Sequence, residues 1–118
     1  MITFVFGGLY QGQEEYMETL YKPYPRLETV RSLKVGERGL IFPAEVLAKD
    51  LPLDKLGEIL ASNKGDLVIV GRDIGAGVVP IDPEERAYRD HVGRCYQLIS
   101  SVSDRVVRVS MGISEVLK

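Results

Sequence analysis

The first residues whose types and spacing could do chemistry are glycines that follow an apolar run near the start of the chain. Residues 4–15 read FVFGGLYQGQEE, with four residues between Gly7 and Gly12. This is the glycine spacing of a phosphate-binding loop, in which backbone N–H groups and the start of a helix surround an anion. In a working loop the next two positions hold a lysine and a serine or threonine, but here they are Gln13 and Glu14.

The two replacements change the charge that a phosphate would meet. Gln13 can donate a hydrogen bond but has no charge, and Glu14 is an anion. Two unit charges about 4 Å apart near a protein surface interact by about 4 kcal/mol, whereas a glutamate in the first turn of a helix stabilises that helix by only about 0.3–1 kcal/mol. The pattern therefore favours a helix start and opposes a triphosphate. The candidate loop residues are Gly7, Gly8, Gly12, Gln13 and Glu14, which are also compatible with a plain strand-to-helix turn.

The elements that would position this loop alternate along the chain. Short apolar runs predict buried strands near residues 2–6, 39–42, 66–71 and 105–110. Helices are predicted over about 13–21, after Pro43, after Pro52 and over 83–102. The last of these has Asp82 as its N-cap, Pro83 at its first position and Glu85 in a capping-box position. Residues 26–38 fit either a helix or a loop.

This alternation predicts an α/β fold. Buried strands that alternate with helices form a mostly parallel sheet with helices on both faces. We expect a reduced P-loop-type three-layer sandwich with about four strands, formed by a single domain over residues 1–118.

Composition excludes several classes of function. A net charge of −2 gives no general attraction for nucleic acid. One cysteine, Cys95, and one histidine, His91, argue against a disulfide and against a thiolate or histidine metal centre. Cys95 lies on the apolar stripe of helix 83–102, and His91 adjoins that stripe, so both are interpreted as packing residues.

Residues 1–6 lack the basic leader of a secretion signal and are too short to span a membrane, so we expect a cytoplasmic protein.

A second glycine-rich loop and the helix after it carry a more specific pattern. Residues 68–100 read VIVGRDIGAGVVPIDPEERAYRDHVGRCYQLIS. This run resembles the adenosylcobinamide kinase/adenosylcobinamide-phosphate guanylyltransferase family of cobalamin biosynthesis, in which a strand leads to Gly-x-Val-Pro and then to a helix with Arg-x-x-Arg-Asp-x-x-Gly. The opening MITFVFGGLYQGQ is similar to the family's first strand and Gly-Gly-x-x-x-Gly-Lys-Ser loop. The matching residues are Gly75, Gly77, Val79 and Pro80 in the loop and Arg86, Arg89, Asp90, Gly93 and Gln97 in the helix.

The chain also departs from the family pattern. Arg72 and Asp73 stand where the family has Asn-Glu, and Tyr96 stands where it has asparagine. The segment with the histidine that takes up GMP in the transferase reaction has no counterpart, and His91 lies in the wrong helix to replace it. The family's acidic residue on the second strand is missing, with Glu45 nearby. The resemblance therefore implies ancestry more directly than it implies activity.

The leading hypothesis is a truncated, catalytically degenerate member of this family. It would retain at most weak nucleotide or corrinoid binding, or serve as a non-catalytic subunit. The resemblance also implies homo-oligomers, as trimers with sites near subunit boundaries. The second group of candidate site residues comprises Asp73, Gly75, Gly77, Arg86, Arg89 and Asp90.

Two alternatives stay open at the level of sequence. In an active kinase or nucleotidyltransferase using GTP or ATP with Mg²⁺, Arg72, Arg86 or Arg89 would replace the lysine and Asp73 would hold the metal. In a structural interaction module no ligand would bind, Asp73 would be a solvated carboxylate, and Arg86, Arg89 and Asp90 would form salt bridges on an exposed helix face.

Overall fold

The computed structural model describes seven regular elements. It covers residues 1–7, 20, 24–25, 38–42, 44, 47, 52–62, 65–72 and 82–118. The elements in chain order are β1 (Ile2–Gly7), β2 (Arg38–Ile41), α1 (Leu53–Ala61), β3 (Asp66–Arg72), α2 (Pro83–Val102), β4 (Arg105–Ser110) and β5 (Ile113–Val116).

The five strands form one sheet in the order β2-β3-β1-β4-β5. The first four are parallel, and β5 pairs antiparallel with β4. All parallel strands therefore end at one edge, which we call the carboxyl edge, and begin at the opposite one, the amino edge. The carboxyl edge is formed by Gly7, Ile41, Arg72 and Ser110, and the amino edge by Ile2, Arg38, Asp66 and Arg105.

Both faces of the sheet are buried, and both described helices pack on the same face. On one face Phe4 and Ile69 pack with Leu56 of α1 and with Ile99 of α2. On the other face the core is built from β-branched and leucine side chains, with Tyr24 and Phe42 packed against it. Because both faces are covered, the strands read as continuous apolar runs, which is the signal that predicted them.

The helix α2 begins and ends at the residues that the sequence predicts. The Asp82 carboxylate accepts a hydrogen bond from the Glu84 N–H at 2.9 Å, and Pro83 occupies the first turn. The Glu85 carboxylate accepts from Arg89 at 3.4 Å. The buried stripe of α2 consists of Val92, Cys95 and Ile99.

The strand count is the main correction, because the sheet has five strands rather than four. The additional strand, β5, follows a two-residue turn in which Met111 has φ 50° and Gly112 has φ 75°. Two positive φ values are typical of a type I′ hairpin turn. All four residues of β5 are exposed, so it lacks the apolar run that identified the other strands.

Several other predictions lie mainly outside the described residues. Within predicted helix 13–21 only Leu20 is described, and it is helical. After Pro43, Ala44 is in a turn and Leu47 is helical. In the described ranges no helix is long and apolar enough to cross a membrane.

Candidate functional site

The carboxyl edge brings together the two strand ends, Gly7 and Arg72, that the glycine-rich stretches of the sequence follow. Gly7, the last residue of β1, is the register partner of Arg72, the last residue of β3. The first loop leaves the sheet after Gly7 and the second leaves after Arg72, so both start on neighbouring strands. In open α/β sheets, ligands bind outside the carboxyl ends of the parallel strands. This edge is therefore the candidate site.

Tyr96 of α2 is anchored to the end of β3. Its hydroxyl donates a hydrogen bond to the Arg72 carbonyl oxygen at 2.6 Å. Its ring contacts the Phe4 ring edge-on, with 5.3 Å between the ring centroids, and Phe4 stacks on Phe6 at 5.5 Å. Tyr96 thus joins the helix that carries the family motif to the residue from which the second loop departs.

Gly71 provides the space for this contact. A Cβ at position 71 would lie 2.8 Å from the Tyr96 hydroxyl oxygen and 3.0 Å from the Ala44 Cβ. Distances of this kind are too short for ordinary packing, so any side chain at position 71 would displace the tyrosine or the backbone beneath it.

Arg72 places a guanidinium group at this edge. Its Cζ lies 5.5 Å from the centroid of the Phe42 ring, the residue that follows β2, in a cation–π arrangement. Among the three arginines considered as substitutes for the missing lysine, Arg72 is the one whose Cα is paired with Gly7.

The other two arginines lie on α2. Arg86 is exposed, and Arg89 forms an i,i+4 ion pair with Glu85 at 3.4 Å. Arg89 therefore forms a salt bridge on the helix surface, as expected for the structural interaction module. An exposed ion pair of this kind contributes little to stability. Asp90 is exposed on the same helix. Ligand contacts by these three residues stay predictions.

Cys95 shows no features of a reactive thiol. Cys95 is fully buried on the inner stripe of α2, and burial raises the pKa of its thiol to about 11. A thiol with such a pKa is almost entirely protonated near neutral pH, so it is a poor nucleophile. His91 is half-buried.

The remaining predicted site residues lie outside the described residues, and so does Glu45. They are Gly8, Gly12, Gln13 and Glu14 of the first loop and Asp73, Gly75 and Gly77 of the second. In the part of the chain that the structure describes, no group of three or more His, Cys, Asp or Glu side chains could hold a metal ion.

The fold and the candidate site define a class of protein. A mostly parallel sheet, with glycine-rich stretches of sequence directly after β1 and β3, is typical of a P-loop-like α/β domain. A family model described as cobinamide kinase / cobinamide phosphate guanyltransferase matches residues 41–117. This is well over half of the 118 residues, and the chain belongs to that family. The comparison with curated proteins found no match.

The range that the family model matches includes only one of the two glycine-rich stretches. It includes the second loop and the whole of α2, and it begins after the first loop. The likeness of residues 7–14 to a phosphate loop therefore rests on their own spacing and on the position of Gly7 at the carboxyl edge.

Sequence reasoning missed three residues of this edge. The pattern indicates only that Phe42 and Gly71 each end a strand, and Tyr96 stands out only as a departure from the family asparagine. The sequence does indicate that Tyr96 has a hydrogen-bond partner, because a large polar side chain on the inner stripe of a helix needs one. The packing against Gly71 had no signal in the sequence.

Proposed function

We propose that the chain is a nucleotide-binding family member in which the kinase and guanylyltransferase chemistries are degenerate. The observation that carries this proposal is the pairing of Gly7 with Arg72 at the carboxyl edge. It supports a shared ligand site formed by both glycine-rich loops, as the family description and the fold suggest.

The sequence of the first loop supports weak binding. Without a lysine at position 13 the β- and γ-phosphates lack their usual cation, and without a hydroxyl at position 14 Mg²⁺ lacks its usual protein ligand. The Glu14 carboxylate would repel the phosphates further. Backbone N–H groups are then the main attraction that the loop offers, and they favour an anion without requiring a metal.

Isothermal titration with GTP and ATP, each with and without Mg²⁺, tests the proposal. We expect weak binding that Mg²⁺ does not strengthen. Micromolar affinity that requires Mg²⁺ would favour an active enzyme instead. No heat at millimolar nucleotide would favour a module without a nucleotide ligand, and titration with cobinamide would then test corrinoid binding alone.

A double variant tests whether the loop has phosphate-loop geometry. Gln13→Lys with Glu14→Ser restores the missing groups, and GTP affinity should rise by on the order of 100-fold or more. The matched control is Gln11→Lys with Glu15→Ser, which makes the same changes of residue type two positions before and one position after. An equal gain in both double variants would indicate a general charge effect and would contradict the loop assignment.

A second candidate function is favoured by the position of Arg72. In an active kinase or nucleotidyltransferase, its guanidinium would contact the phosphates in place of the lysine, since its Cα is paired with that of Gly7. Transfer of labelled phosphate from GTP to cobinamide would be measured for the wild type and for Arg72→Gln. Arg38→Gln is a matched control, because Arg38 also lies 5.5 Å from an aromatic ring, that of Tyr24, but at the amino edge. Transfer that Arg72→Gln abolishes and Arg38→Gln preserves would support this candidate.

A further inference from the structure

The strand β5 lies at the edge of the sheet, and large apolar side chains in it and directly after it are exposed. It is the last strand in the sheet order, so none of the described strands pairs with its outer side. Ile113 is 72% exposed, Val116 57% and Leu117 51%. Edge strands expose a row of backbone donors and acceptors that can pair with another strand, and large exposed apolar side chains favour such pairing.

The hairpin register determines which backbone groups face outward. Ser110 pairs with Ile113 across the two-residue turn, and the Leu117 N–H donates to the Val106 carbonyl at 2.8 Å. Hydrogen-bonded and non-hydrogen-bonded pairs alternate along an antiparallel ladder. The N–H and C=O groups of Ile113 and Glu115 therefore face β4, and those of Ser114 and Val116 face away from it.

We propose that β5 pairs antiparallel with β5 of a second copy of this chain. The outward N–H and C=O groups of Ser114 bond to those of Val116 of the second copy. Those of Val116 bond in the same way to Ser114 of the second copy, and the two Glu115 residues face each other at the two-fold axis. In this register Ile113 lies opposite Leu117 of the second copy, so apolar side chains face each other. A shift in either direction that keeps the hydrogen bonds places Glu115 opposite Ile113 or Leu117, which pairs a charge with an apolar side chain.

The charges around the axis fit the same register. Glu115 is the cross-strand partner of Arg108 on β4. In the dimer the two carboxylates lie side by side at the axis, and each has an arginine on its other side. The row of charges is positive, negative, negative, positive, so the arginines offset part of the repulsion between the glutamates. Because the contact comprises only a short strand from each copy, we expect weak association, with a Kd on the order of 10⁻⁴ M.

Hydrogen–deuterium exchange of the full chain at 10 µM and at 1 mM tests the pairing directly. The Ser114 and Val116 amides should exchange more slowly at the higher concentration, while the Ile113 and Glu115 amides, already bonded to β4, should change little. Sedimentation velocity over the same range should show mainly monomers at 10 µM and mainly dimers at 1 mM. A chain that stays monomeric at 1 mM, or one that associates without slower exchange at Ser114 and Val116, overturns the proposal.

Three variants and one control sharpen the test. Ser114→Pro removes an N–H that faces away from β4, so it should abolish dimers while retaining the hairpin, and Ser114→Ala is its matched control. If the proline variant fails to fold, Val116→Lys serves as the second breaker. Glu115→Gln removes the repulsion on the axis and should tighten the dimer by about 2–5-fold. Dimers that Ser114→Pro and Val116→Lys leave intact would contradict the pairing.

Discussion

The two edges of the sheet are held in different ways. At the amino edge, side chains bond directly to the starts of the strands. The Asp104 carboxylate accepts from the Ile2 N–H at 2.8 Å, and the Tyr24 hydroxyl donates to the Asp66 carboxylate at 2.7 Å. The Asp104 N–H in turn donates to the Ile2 carbonyl at 2.8 Å. These bonds tie together segments that are far apart in the sequence.

The carboxyl edge is formed from glycine, aromatic and arginine residues. Gly71 brings the backbone close to its neighbours, and Tyr96 approaches the Arg72 carbonyl over Gly71. Arg72 lies over Phe42 here, as Arg38 lies over Tyr24 at the amino edge, at the same distance of 5.5 Å. At the amino edge the aromatic ring also carries a hydroxyl that bonds to an acidic residue, Asp66.

The comparison separates stability from binding. Side chains that bond to strand starts stabilise the sheet, whereas glycines at strand ends leave room for backbone or ligand to approach. We therefore expect variants at the amino edge to change the free energy of unfolding with little effect on nucleotide affinity. Variants at the carboxyl edge should change both.

The largest effect is expected for Gly71→Ala at the carboxyl edge. The new Cβ would meet the Tyr96 hydroxyl at 2.8 Å and the Ala44 Cβ at 3.0 Å, so the tyrosine or the strand must move. Overpacking of this kind costs up to about 3 kcal/mol. Urea unfolding measures the loss, and GTP titration should show weaker binding. The same substitution at Gly93, which has nothing within 4 Å of a new Cβ and lies on α2, should instead stabilise by about 0.5–1 kcal/mol. A neutral Gly71→Ala would contradict the close packing at this edge.

The next effect is expected for Asp104→Ala at the amino edge. It removes the acceptor of the Ile2 N–H, which belongs to a buried residue, and leaves that donor without its partner. The cost should be about 2 kcal/mol in urea unfolding. Asp104→Asn is the control, because its amide oxygen still accepts and most of the stability should return. A loss of GTP affinity equal to that of Gly71→Ala would break the distinction between the edges.

The parts of the fold that burial determines could be predicted from the sequence. The strands near Phe4 and Ile69 were predicted because both of their faces are covered, which gives an uninterrupted apolar run. The bounds of α2 followed from Asp82 and Pro83 at its start and from a regular apolar stripe. These signals are local in the sequence, and the structure confirms the strands and the helix that they predict.

The parts without an apolar run, or with contacts between distant residues, could not be predicted. The strand β5 is exposed along its whole length and gives no apolar run, and the Met111–Gly112 turn before it lacks the Asn-Gly or Asp-Gly pair that usually indicates a hairpin. The hydrogen bond from Tyr96 to Arg72 joins residues 24 positions apart, and nothing in either residue's neighbourhood specifies the other. The sequence predicts the candidate site as two loops, whereas the tyrosine that links the end of β3 to α2 is evident only in the structure.

A smaller effect is expected for Tyr96→Phe, which removes a single hydroxyl from the carboxyl edge. The Arg72 carbonyl loses its donor at 2.6 Å, while the ring contact with Phe4 is kept, so the cost should be about 1 kcal/mol. The matched variant is Tyr24→Phe, which removes the hydroxyl bound to Asp66 at the amino edge. Similar losses in urea unfolding, with weaker GTP binding only for Tyr96→Phe, would support the distinction. Weaker GTP binding in both variants would argue that the two edges are coupled.

The smallest effect is expected where α2 ends, near the amino edge. The last turn of α2 contains no basic residue, and the Lys118 ammonium donates instead to the carbonyls of Ser100 and Ser101 at 3.1 and 3.0 Å. A cation at a helix C-terminus stabilises it by about 0.3–1 kcal/mol, so Lys118→Met should lower the free energy of unfolding by that amount. Lys118→Arg retains the charge and should lose less. Because salt screens exposed charges, the difference between Lys118→Met and the wild type should shrink at 1 M NaCl. A difference that salt leaves unchanged would mean that the lysine acts through its apolar stem rather than through its charge.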